Sequence, residues 1–167
     1  FNLDTNIGRP EVAYKETITQ KAIGIVGKFI TQTGGRGQYG HVVIDVEPAE
    51  ERGKGVVFTN KIRGGSIPRE FIPGVEKGIK AGALNGVLAG YPVTDITINL
   101  VDGSYHDVDS SELAFQLAAK IALKEALIKG RSVFLEPIMD IELVVPEVYM
   151  CTVLGDIITR RAKFVYL

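Results

Sequence analysis

Asp102-Gly103-Ser104-Tyr105-His106-Asp107-Val108-Asp109-Ser110-Ser111-Glu112 joins two segments of different period, and its reading decides the fold. On its N-terminal side, Ile96, Ile98 and Leu100 alternate with Thr97 and Asn99, the pattern of a strand with one buried face. On its C-terminal side, Leu113, Leu117, Ile121 and Leu127 recur at helical spacing until Gly130. Asp109, with Glu112 three residues on, is expected to cap that helix as a capping box.

The strands before it read in the same way. Val42, Ile44 and Val46 alternate with His41, Val43, Asp45 and Glu47, and Val56, Phe58 and Asn60 continue the pattern in a further strand. Residues 16–32, rich in β-branched side chains, predict one long strand bulged at Gly24 or Gly27, pairing with 41–47 as a hairpin.

Pro73–Ala89 predicts a helix buried along Val75, Ile79, Ala83 and Val87, with Leu84 and Leu88 widening the stripe. Its Gly78, Gly82 and Gly86 point to close packing on a sheet, and Glu76, Lys77 and Lys80 exclude a membrane role. Val133–Val145 predicts a fifth extended segment, and Pro146 opens a last helix to about Arg161.

The fold class is therefore α+β, a β-sheet with helices packed on one face. Phe1–Thr5 reads as a strand-like piece, Asn6–Pro10 as a turn, and Lys163–Leu167 as a strand just beginning, so the chain is expected to be part of something longer.

Composition narrows the function. With 46% hydrophobic residues among 167 the chain can bury a real core, and a net charge of -1 gives it no basic field for long-range capture of nucleic acid. A single cysteine, Cys151, excludes an internal disulfide, fits the cytoplasm, and with only His41 and His106 argues against structural zinc. No run of about 18 apolar residues exists to span a membrane.

Gly35-Arg36-Gly37-Gln38-Tyr39-Gly40 has the spacing of a dinucleotide fingerprint but leads into a strand rather than a helix. No P-loop is present, and His106, Asp109 and Ser111 lie too close in sequence for a hydrolytic triad. No small-molecule substrate is expected.

Strand directions bring the loops at 33–38, 63–71 and 102–109 to one end. That tip presents Arg36 and Gln38, then Arg63, Ser66 and Arg69, then Ser104, Tyr105 and His106.

Asn6–Pro10, Thr33–Val42, Gly64–Pro73, Gly90–Val93, Asp102–Phe115 and Leu135–Met139, in this order, carry a resemblance to the translation elongation factor G family. The departure is at the end, where Arg160-Arg161-Ala162-Lys163 lacks the family's glycine after the paired arginines.

The resemblance implies that residues 1–14 close domain III, that 15–132 form domain IV, and that 133–167 begin a ferredoxin-like domain V as an incomplete βα unit. Domain IV would be a ribosomal-protein-like domain with a left-handed βαβ crossover, a hand the general rule disfavours.

By the same resemblance the tip enters the decoding site of the small ribosomal subunit and contacts the mRNA–tRNA duplex during translocation. Its RNA contacts would be Gly34, Gly35, Arg36, Gly37, Gln38, Tyr39, Ser104, Tyr105, His106 and Asp107, with Arg63, Ser66 and Arg69 in a second loop. The piece itself would be no enzyme and hold no cofactor or metal, GTP and Mg²⁺ belonging to a G domain elsewhere in the parent GTPase. The alternatives are a paralogous ribosome-recycling or ribosome-protection factor, and a free-standing RNA-binding module.

Overall fold

A computed structural model describes residues 11–32 and 37–163. The expectations for 1–10 and 164–167 lie outside the described residues. By contact density the chain divides into two units, Phe1–Pro137 and Ile138–Leu167.

The strands of the first unit are β1 (Lys15–Ile18), β2 (Ala22–Thr31), β3 (Gln38–Pro48), β4 (Val56–Asn60), β5 (Ile96–Ser104) and β6 (Ser132–Leu135); its helices are α1 (Ile72–Gly82) and α2 (Glu112–Lys129). β2-β3-β5-β4 form one sheet, and β1-β6 a separate pair. The stretch expected as one strand over 16–32 is thus two strands in two sheets. Thr19 and Gln20 end the first by bonding their amides to Gly130, which leaves β1 for β6 and frees Ala22 to begin the hairpin.

Alternation decides which face is buried. Val42, Ile44 and Val46 of β3 and Ile96, Ile98 and Leu100 of β5 are completely inaccessible, and both helices cover this one face. β4, α1 and β5 make a βαβ unit whose two strands pair in parallel.

Of the stripe expected for α2, Leu127 is fully buried, but the inward face is otherwise a different one. Leu113 and Ile121 stay largely exposed, while Ala114, Phe115, Ala118, Ala119, Ala122, Leu123, Ala126 and Leu127 face inward. The sheet explains this: a Cβ at Gly40 would strike the Ala114 carbonyl, and one at Gly27 the Ala118 carbonyl. Helix and sheet meet backbone to backbone, and only small residues fit between them.

α1 ends at Gly82 rather than Ala89, leaving Leu84 and Leu88 exposed. Its glycines pack on a helix rather than on the sheet, Gly74 against Glu112 and Gly78 against Gln116. Beyond Gly82 the chain turns to receive the Glu16 carboxylate, which accepts the amides of Leu88, Ala89 and Tyr91.

The segment expected to be extended over Val133–Val145 is a strand only over Ser132–Leu135, where it pairs with β1. In the second unit Pro146 precedes a 3₁₀ turn over Glu147–Tyr149, followed by α3 (Met150–Thr159).

Candidate nucleic-acid interface

β3 runs antiparallel to both β2 and β5, and β4 runs parallel to β5. The loops after β2, β4 and β5 therefore share one end of the sheet, as the sequence predicts.

The first and third loops are stitched together. The Tyr39 amide donates to the Asp109 carbonyl at 2.8 Å, and the Ser110 hydroxyl donates to the Tyr39 carbonyl at 3.0 Å while accepting the His106 amide at 2.9 Å. A Cβ on Gly37 would lie 3.0 Å from the Asp109 carboxylate, so glycine there keeps the two loops in contact.

The second loop is anchored by apolar side chains, Ile67 and, stacked on Phe115, Phe71. Ile67 is 2% exposed and packs where a Gly103 Cβ would sit, so the third loop needs glycine at that point. Gly64 and Gly65 have φ of 86° and 74°, a left-handed pair that L side chains rarely adopt. The Asp102 carboxyl is held below its ordinary value, first by the Gly103 amide.

The helix behind the tip is capped by Ser111, not Asp109. Ser111 is extended at φ -148°, and its hydroxyl accepts the Ala114 amide at 3.1 Å. Glu112 does not reach back as in a capping box; it meets Lys77 of α1 at 2.6 Å. Asp109 is drawn to the tip instead, with a carboxylate oxygen 3.6 Å from His106 Nδ1.

Gly34, Gly35 and Arg36 lie outside the described residues. Of the rest, Arg63, Arg69, Tyr105, His106 and Asp107 are exposed at the tip. Gly37, Gln38, Tyr39, Ser66 and Ser104 are half-buried, and Tyr39 and Ser104 bond to each other at 2.8 Å. The His106 side chain is 57% exposed, and its Nδ1 lies 3.4 Å from the Val108 amide, which leaves Nε2 for an outside partner.

One member of the cluster has no separate signal in sequence. His41 Nδ1 lies 2.7 Å from Ser104 Oγ, because the β3–β5 register sets His41 opposite Ser104. Alternation alone places His41 on the polar face of β3, two positions from Tyr39; only the pairing brings it to the tip.

Among the described residues no group of three or more His, Cys, Asp or Glu is arranged to hold a metal ion. No described helix is long and apolar enough to cross a membrane.

Residues 10–131 match the family described as elongation factor G, domain IV. The chain belongs to the elongation factor G domain IV family. It is 57% identical over 161 residues to elongation factor G of Aquifex pyrophilus, covering 96% of this chain and 23% of that protein. A solved structure from Thermus thermophilus superposes on 92% of the chain with a TM-score of 0.84 at 44% identity, again over 23% of the larger chain. The chain thus spans about a quarter of the length of these relatives, and its mixed α+β sheet is the domain IV fold.

Proposed function

We propose that this chain is the part of a translocation GTPase that enters the decoding site of the small ribosomal subunit and contacts the mRNA–tRNA duplex as it advances. The observation that carries the reading is the tip, where three loops pack together and present the exposed His106.

An A-form duplex presents a wide, shallow minor groove lined with 2′-hydroxyls, which a compact polar tip can approach closely. His106 Nε2 and the exposed Arg63 and Arg69 supply polar groups for it, and the glycines of the 33–38 loop allow close backbone approach. A near-neutral charge suits a domain delivered by a larger protein, since each contact need contribute only about 1 kcal/mol.

In this reading 1–14 close domain III, 15–132 form domain IV and 133–167 begin domain V, with Ser132–Leu135 completing a sheet with β1 at the junction. The parent acts in the cytoplasm, and its GTP and Mg²⁺ are bound in a G domain elsewhere.

The test is His106→Ala in the full-length factor. Ribosome-stimulated GTP hydrolysis should persist while translocation slows at least about tenfold, the loss of roughly 1.4 kcal/mol from the transition state. Translocation at the unaltered rate would remove His106 from the interface.

A further inference from the structure

Three side chains at the base of the tip are joined in series. Tyr39 Oη lies 2.8 Å from Ser104 Oγ, and the same oxygen lies 2.7 Å from His41 Nδ1. A phenol and an aliphatic hydroxyl each carry one hydrogen, so the series has a direction. Running from Tyr39 to Ser104 to Nδ1, each proton meets an acceptor within the series; reversed, the phenol proton must find another partner.

The surroundings of His41 favour the first direction. Burial, and then the charge of Lys28 across the strand on β2, lower its pKa, and Asp102 on β5 opposes them. The ring is neutral near pH 7, free to accept at Nδ1 and carry its hydrogen on Nε2.

The Tyr39 ring also neighbours the exposed histidine. The Tyr39 and His106 rings lie 6.3 Å apart at 47°, and the Tyr39 backbone is bonded to Asp109 and Ser110 at the end of the turn.

We propose that Tyr39, Ser104 and His41 are positioning residues of the tip: the half-buried series fixes the Tyr39 ring, and the ring sets the posture in which His106 meets RNA. Tyr39 and Ser104 then act from inside, through His106, rather than as contacts themselves. The inference rests on the reading of the tip as an RNA contact, and its first test does not depend on that reading.

That test is NMR of the whole chain with ¹⁵N-labelled imidazoles. There are two histidines, so both rings can be followed individually. His41 should show an unprotonated Nδ1 and a predominant Nε2–H tautomer, titrating below the ordinary 6.5. Ser104→Ala should turn His41 into a mixture of tautomers and shift the His106 resonances, and Ser104→Thr, which keeps the hydroxyl, should restore both. Should Ser104→Ala fail to fold, Tyr39→Phe removes the phenol proton that holds Ser104 in its donating role while keeping the ring, and a partial change of His41 toward mixed tautomers is expected, since Ser104 can then accept from Nδ1 as well as donate to it. Unchanged spectra in the folded variants would overturn the series.

In the full-length factor Ser104→Ala should slow movement of the mRNA–tRNA duplex about tenfold, with Ser104→Thr recovering most of the rate. A loss that Ser104→Thr does not recover, or no loss with altered spectra, overturns the positioning role. If His106→Ala also moves RNA normally, the fault lies in the RNA reading, and the NMR result stands by itself.

Discussion

The carboxylate of Glu16 accepts the amide of Ala89, 73 positions away, at 2.9 Å, and the same side chain is completely buried. Burial alone would raise its pKa, but the amides of Ala89, Leu88, Tyr91 and Val87 outweigh that and hold it below 4.5. A pKa lower in the folded than in the unfolded chain means stability that is present above the unfolded value and lost as pH falls through the folded one. Glu16→Gln should therefore flatten the stability profile on the acid side, and at pH 7 it should cost about 2 kcal/mol because one amide oxygen cannot serve all these donors. Urea unfolding between pH 3 and 7 reads both effects.

Gly40→Ala should cost about 3 kcal/mol in chemical denaturation, since the added methyl meets the Ala114 carbonyl and one of the two backbones must move. Gly53→Ala is the contrast. Open space surrounds it, so its φ of 86° alone sets a smaller loss, near 1 kcal/mol.

Ser111→Ala should remove about 1 kcal/mol, the usual worth of an N-cap. Asp109→Ala should cost clearly less in global stability, because its side chain caps nothing. If the two losses came out equal or reversed, Asp109 would be the cap after all.

His106→Ala should leave the unfolding free energy within about 0.5 kcal/mol of the unaltered chain, as expected for an exposed side chain outside the core. A larger loss would assign the residue to holding the tip together.

Strands are legible in sequence wherever one face is buried and the other wet, as in Gln38–Pro48 and Ile96–Ser104. So is the end of α2 at Gly130. Hidden are the features decided by distant partners. Nothing local separates β1 from β2; the division comes from β6, more than a hundred residues later. The N-terminal part of the inward stripe of α2 is masked because Leu113 and Ile121 outrank the alanines in hydrophobicity, whereas the glycines facing it demand small size. At the tip, exposed His106 is visible as a polar residue in a loop, but His41 joins it only through strand register.

The backbone contacts of Gly40 and Gly27 with α2 also have a mechanical consequence. A push on the tip passes into the Tyr39–Gly40 strand and on to the helix through peptide groups, with no long side chain between them to change rotamer and absorb the displacement. The path from the loops to the main helix therefore runs through backbone and methyl groups rather than through flexible side chains.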